Sequence, residues 1–152
     1  MNAATLGRAG AWLAGVWAGA MVGVGGIAAP ALFQLLPRAE AGRIAGRLFS
    51  IEATLGVCVG AVLVLIGLQL GRERAERGRG SRFGAELVLA LGAVGCIVAG
   101  HYGLVPMLEA ARAGQGSLSF GTVHALSSGF FVLRLVLVAA LAWRLTAAPP
   151  RG

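Results

Sequence analysis

The sequence predicts an all-α integral membrane protein, a four-helix bundle with up-down topology. Only 12% of its 152 residues are charged, whereas a soluble domain usually carries about 25%. Four apolar stretches alternate with short polar segments, and each is long enough to supply the ~20 residues that a helix needs to cross the hydrocarbon core of a bilayer. One bundle uses the whole length, so we expect a single transmembrane domain over residues 1–152.

The first span is the longest part of the chain without charge. Residues 9–37 contain no charged side chain, and we expect Pro30 to kink or end the helix. Small residues recur here every four positions and lie near one face, which lets another helix backbone approach closely. We therefore expect the first helix to be the most closely packed one, through Gly15, Gly19 and Gly23.

All four predicted helices follow from the apolar stretches. The same spacing of small residues recurs in the second and third of them, with Ala99 between the two glycines of the third, and predicts further packing faces at Gly56, Gly60, Gly95 and Gly103. The first stretch, which follows Arg8, also resembles a signal peptide, but it is longer than a typical hydrophobic region of one, so we expect a retained helix. The predicted helices cover residues 9–34, 44–70, 84–106 and 122–145.

The distribution of arginine predicts the orientation. The amino end, the polar run 72–82 and the tail together hold eight arginines, against four in the other two connections. This bias favours an inner-membrane protein with both termini in the cytoplasm. We expect 72–82 to be a water-exposed loop, and Pro149 and Pro150 to close a short tail. The eight are Arg8, Arg72, Arg74, Arg77, Arg79, Arg82, Arg144 and Arg151.

The net charge of +7 does not indicate a nucleic-acid partner. The basic residues flank apolar spans, which is the pattern of membrane topology, and no recognised nucleic-acid motif accompanies them. The expected partner is the lipid bilayer, with a second copy of the chain or another membrane protein as further options.

Polar side chains gather toward the predicted outer side of the membrane. Ionisable residues inside a bilayer are costly and usually face the interior of a bundle or a cavity. On the fourth span the polar side chains fall within one arc of roughly 120°, at about 100° per residue. The sequence therefore predicts an intramembrane polar cluster made of Glu52, His101, Tyr102, His124, Ser127, Ser128 and Arg134.

Within this cluster, Arg134 is expected to pair with Glu52. Arg134 lies about 15 Å beyond His124 along its helix, near the bilayer midplane. A lone arginine at that depth costs at least about 2.5 kcal/mol on insertion scales, and Glu52 is the one acid well inside a span. The alternatives are that Arg134 extends alone toward the interface or donates to backbone carbonyls.

His101 and His124 permit two interpretations. They could be axial ligands of a haem or two ligands of a copper ion, or they could hydrogen-bond to Glu, Ser or backbone carbonyls. We favour hydrogen bonds, because a metal site needs three or four convergent ligands. Aspartate is absent and no catalytic motif is present. We thus expect no cofactor and no catalytic residues, and the sequence favours a protein without enzyme activity over an enzyme.

Two motifs carry a resemblance to a known family. The segment APALFQLLPRAEAGRIAGRLF at 29–49 and the segment FGTVHALSS at 120–128 resemble the transmembrane protein 205-like family, also called the domain of unknown function 4149. The resemblance implies a four-span membrane protein and carries no established bacterial activity. More remotely, the architecture is similar to CopD-type copper-resistance proteins and HemJ-type protoporphyrinogen oxidases. HemJ-like proteins depend on a histidine in the first helix, and residues 9–37 contain none.

These observations favour a small structural or transport-accessory protein of the inner membrane. The alternative is a haem- or copper-binding membrane redox protein that uses His101 and His124.

Overall fold

A computed structural model describes residues 2–78, 80–115 and 117–147. Within these ranges the chain forms four long helices and no strand, and each helix is long and apolar enough to cross a membrane. This confirms the all-α four-helix prediction. The expectations for Arg79, Pro149, Pro150 and Arg151 lie outside the described residues. The helices are α1 (Ala3–Leu35), α2 (Arg38–Glu76), α3 (Ala85–Arg112) and α4 (Phe120–Thr146).

Local sequence signals mark the helix starts. The Asn2 side chain accepts a hydrogen bond from the Thr5 backbone N–H at 2.8 Å, and Ser119 does the same for the Thr122 N–H at 3.2 Å. Such caps satisfy donors that the first turn of a helix leaves free. Pro37 separates α1 from α2 because proline disfavours helical geometry in the residue before it.

Helix α2 extends beyond both predicted ends. It begins at Arg38 and ends at Glu76, so the first half of the segment 72–82 is helical and the prediction of a loop there is wrong. The extension is stabilised by an ion pair one turn apart, with 3.8 Å between Arg77 Nη2 and Glu73 Oε2. Only after Glu76 does the chain turn, at Gly78, whose φ is 66°.

Two prolines lie inside helices: α1 continues past Pro30 and ends at Leu35, close to its predicted end at residue 34, whereas α3 continues past Pro106, where its predicted end lay. Each follows a π-helical segment, Gly23–Ala28 before Pro30 and Val98–Gly103 before Pro106. The wider i→i+5 turns shift the hydrogen-bond register just where proline lacks its N–H. The helices therefore continue past both prolines, and α3 runs on to Arg112.

Each helix packs against its two sequence neighbours in the ring, with α4 closing back on α1. The core between them is almost wholly apolar, since α1 contributes Ala14, Trp17 and Met21, and α4 contributes Val138 and Leu141. The charged side chains buried among the described residues are Glu52, Glu86 and Arg134.

The glycines expected to pack in α1 face away from the bundle. No atom lies within 4 Å of the position that a Cβ would take at Gly15, Gly19 or Gly23, and the same holds for Gly95. At Gly103 the sole neighbour is a backbone oxygen of its own helix at 3.5 Å. The prediction that these five glycines hold helices of this chain together is therefore corrected.

The contacts of α1 lie on a different face, which contains Gly10, Ala14, Trp17 and Met21. A Cβ at Gly10 would lie 3.1 Å from Leu145 Cδ1. The four-residue period of the glycines does not decide which face turns inward. The large Trp17 side chain does, because its N–H needs an acceptor when it is buried.

Helices α2 and α3 approach each other closely at glycines of α2. A Cβ at Gly60 would lie 2.6 Å from Val94 Cγ2, and one at Gly56 would lie 3.0 Å from Ile97 Cδ1. The structure thus places Gly56 and Gly60 at a close contact between two helices, where the sequence predicts packing glycines. At Gly67 the neighbour is the backbone itself, with 2.9 Å to the Leu87 Cα.

Candidate intramembrane polar site

Three helices meet at a buried polar network. Trp17 Nε1 of α1 donates to Glu52 Oε1 of α2 at 3.1 Å, and Arg134 Nη2 of α4 donates to Glu52 Oε2. All three residues are 4–5% exposed. The pairing of Arg134 with Glu52 is the one that the sequence predicts. The cluster predicted from the sequence does not include Trp17, whose indole N–H completes the network.

Glycines and aromatic rings shape the surroundings of the pair. Gly56 lies one turn after Glu52 and leaves room for the indole, because a Cβ there would lie 3.0 Å from Trp17 Cζ2. The guanidinium carbon of Arg134 lies 5.1 Å from the centroid of the Phe131 ring, a cation–π contact. Phe131 in turn occupies the space that the missing Cβ of Gly25 leaves free.

Each π-helical segment contacts one of two adjacent phenylalanines on α4. Gly25 lies in the first segment and meets Phe131, and Gly100 lies in the second and meets Phe130. A Cβ would lie 2.7 Å from Phe131 Cε1 at the first position and 2.6 Å from Phe130 Cβ at the second. The irregular turns thus seat two large rings one turn from the buried arginine.

The charge balance of the network makes it costly to break. In a low-dielectric interior, removing one member of an ion pair leaves the other charge uncompensated, at a cost of about 3–5 kcal/mol. Arg134 Nε is buried and has no hydrogen-bond partner among the described residues. The carboxylate of Glu52 is therefore the main group that stabilises this guanidinium.

The outer members of the predicted cluster do not join this network. Ser127 Oγ donates to the Gly100 carbonyl at 3.4 Å and links α4 to α3. Tyr102, His124 and Ser128 are exposed at the bundle surface, and His101 is half-buried. The structure therefore brings together Glu52 and Arg134 but leaves the other outer side chains apart from them.

The two histidines contact aromatic rings. His101 lies edge-on to Tyr102, with 5.1 Å between ring centroids, and His124 stacks on Phe120 at 5.7 Å. Neither imidazole hydrogen-bonds to another residue of the described ranges, so the expected bonds to Glu, Ser or carbonyls are not formed. Those ranges also bring no three His, Cys, Asp or Glu side chains close enough to hold a metal ion.

Comparison with known proteins assigns the family. The family model of the domain of unknown function 4149 matches residues 12–117. The chain belongs to the domain of unknown function 4149 family. No curated protein and no solved structure shows significant similarity to it. The matched region contains Glu52 and Trp17, whereas Arg134 follows it along the chain.

This member of the 4149 family has a second ion-pair cluster at the other end of the bundle. Glu86, in the first turn of α3, accepts from Arg74 Nη1 at 2.7 Å and from Arg74 Nη2 at 3.0 Å. Arg144 Nη2 of α4 lies 3.6 Å from the same carboxylate. A carboxylate held by the two-pronged guanidinium geometry is well ordered. The sequence feature that could have predicted this cluster is Glu86, an acid at the start of the third span that closely follows the arginine-rich run 72–82.

Proposed function

We propose that this chain is a structural or transport-accessory protein of the inner membrane that acts through contacts with other membrane proteins. The observation that supports this role is that the buried charged side chains of the protein form ion pairs between its own helices. Glu52 pairs with Arg134, and Glu86 pairs with Arg74. Among the described residues, every buried charged side chain is therefore engaged in holding helices of the chain together.

A polar substrate inside a membrane protein needs polar groups that are open to it. Ligand sites usually combine a cavity with a few convergent polar groups. Here Trp17 and Arg134 occupy the two oxygens of Glu52, and the Phe131 ring covers the guanidinium. These contacts favour a role in assembly over a role in binding and converting a substrate.

Photo-crosslinking in native membranes tests the proposed association. A benzophenone amino acid is placed at one exposed position on each helix, at Gly19, Leu65, Val88 and Val136. We expect a discrete adduct with another membrane protein from at least one helix, lost when the membranes are first dissolved in excess detergent. Adducts with lipid alone at all four positions would contradict an accessory role.

An absorption spectrum of the purified protein separates this proposal from the redox alternative. We expect neither a haem Soret band nor bound copper, because the two imidazoles do not converge with further ligands among the described residues. A Soret band that disappears in both His101→Ala and His124→Ala would replace our proposal with a haem protein. The matched control is Cys58→Ala, which removes an exposed side chain of α2, a helix that contains neither histidine.

Reporter fusions test the proposed orientation. Gly78 and Gly114 are exposed turn glycines with φ of 66° and 72°. Gly78 precedes α3 and Gly114 follows it, so they lie at opposite ends of this helix. With both termini in the cytoplasm, a green fluorescent protein inserted at Gly78 should fluoresce, and alkaline phosphatase inserted at Gly114 should be active. The reverse pattern would invert the orientation and leave the bundle unchanged.

A further inference from the structure

An open groove runs along the outside of the bundle between α1 and the end of α4. Its volume is about 520 Å³, and Arg8 lies at one end of it. Beyond Arg8 the lining becomes apolar, with Trp12 and Val16 on α1 and Leu145 on α4. From Arg8 to Val16 the groove follows α1 for about 12 Å, at 1.5 Å per residue.

The groove owes its depth to Gly15. A Cβ at this position would have no atom within 4 Å, so the space above it is open. Trp12 and Val16, in contrast, are 78% and 65% exposed and project away from the bundle. The groove is therefore apolar here, with Gly15 at its base and large side chains on either side.

Arg8 gives the groove a positive end. It is the one charged residue of α1 and is exposed, and it forms no ion pair with any residue that the structure describes. Trp12 follows one turn deeper, at the level where amphipathic indole rings lie among lipid headgroups. A guanidinium at this depth matches a phosphate, which it can bind through two parallel hydrogen bonds.

We propose that this groove binds one anionic phospholipid. The phosphate lies at Arg8, and an acyl chain lies over Gly15 between Val16 and Leu145. The inference is independent of the accessory role, because it depends on the groove and its charge and on no protein partner. It also holds for either orientation, since the lipid belongs to whichever leaflet faces the amino terminus.

The charge distribution favours an anionic lipid over other occupants. A zwitterionic headgroup would bring its own cation near Arg8, whereas an anionic one adds no such repulsion. A second copy packed by two-fold symmetry about the membrane normal would place two Arg8 side chains at the same depth. Of these occupants, the anionic phospholipid is the one that brings a net negative charge to the positive end of the groove.

Quenching of Trp12 fluorescence by brominated lipids tests the proposal. A Trp143→Phe background leaves Trp12 on the groove and Trp17 in the core, where it is 4% exposed and shielded from lipid. The protein is placed in phosphatidylcholine vesicles that contain either brominated phosphatidylglycerol or brominated phosphatidylcholine, labelled near the headgroup end of the chain. We expect half-maximal quenching at a mole fraction about fivefold lower for phosphatidylglycerol.

Three variants assign the two ends of the site. Arg8→Gln should remove the preference for phosphatidylglycerol, and Gly15→Leu should remove it by filling the groove. Gly19→Leu is the matched control, one turn further along α1 and equally free of neighbours within 4 Å, and it should keep the preference. All three positions lie outside the core, so the bundle should remain folded.

Each contrary result would overturn the assignment. Equal quenching by the two lipids would mean ordinary bilayer contact. A preference that survives in Arg8→Gln would place the headgroup elsewhere. Quenching that falls as the protein-to-lipid ratio rises would mean that a second copy covers the groove.

Discussion

Glu52→Gln should strongly lower the thermal stability of the purified protein. The change leaves Arg134 buried beside a neutral amide, and breaking a buried ion pair in this way costs about 3–5 kcal/mol. Trp17 Nε1 keeps a possible acceptor in the amide oxygen, so the loss reports mainly on the charge. Thermal unfolding in detergent, followed by circular dichroism, measures it.

The double variant decides whether the two residues act as a pair. Adding Arg134→Gln to Glu52→Gln removes the uncompensated charge, so much of the lost stability should return. Strictly additive losses would show that the contact contributes no coupling energy. Glu40→Gln is the matched control, because Glu40 forms an exposed pair with Arg43 at 4.0 Å, and exposed pairs contribute about 0–1 kcal/mol.

The pairing of Arg134 with Glu52 could be predicted because few residues could neutralise a charge inside the membrane. Arg134 stands deep in the fourth apolar span, and Glu52 is the one acid far inside any span. The high cost of an isolated charge in lipid then restricts the partner strongly. Depth along a helix follows directly from residue number, so two side chains at compatible depth could be matched without knowing the packing.

The rotation of each helix could not be predicted in the same way. Gly15, Gly19 and Gly23 form a regular small-residue face, yet the structure turns Ala14, Trp17 and Met21 inward. In an apolar helix surrounded by lipid, hydrophobicity does not distinguish inside from outside, since both faces are apolar. The rotation of α1 instead accompanies a single polar contact, from Trp17 to Glu52.

The same ambiguity explains the outcome for the histidines. His101 and His124 lie on adjoining helices, as expected, but their angular positions about those helices were undetermined. His124 faces outward against Phe120, and His101 contacts Tyr102. The π-helical segment Val98–Gly103 also alters the angular register around His101, where the sequence predicts an uninterrupted α-helix.

Gly67→Leu should be the most damaging single change in the contact between α2 and α3. A Cβ at Gly67 would lie 2.9 Å from the Leu87 Cα and 3.0 Å from its backbone nitrogen. A side-chain rotation cannot relieve a clash with backbone, so the helices must separate, which costs at least the roughly 1–3 kcal/mol typical of overpacking. Separation would also strain the nearby Arg74–Glu86 contact, which joins the same two helices.

Two matched substitutions show whether backbone contact is the cause. Gly60→Leu should cost less, because its nearest neighbour is the Val94 side chain at 2.6 Å, which can reorient. Gly19→Leu should cost almost nothing, since no atom of the chain lies within 4 Å of the new Cβ. The melting temperatures should therefore rise in the order Gly67→Leu, Gly60→Leu, Gly19→Leu. A loss at Gly19 as large as the loss at Gly67 would mean that the α1 glycine face, and not the α2–α3 contact, holds helices together.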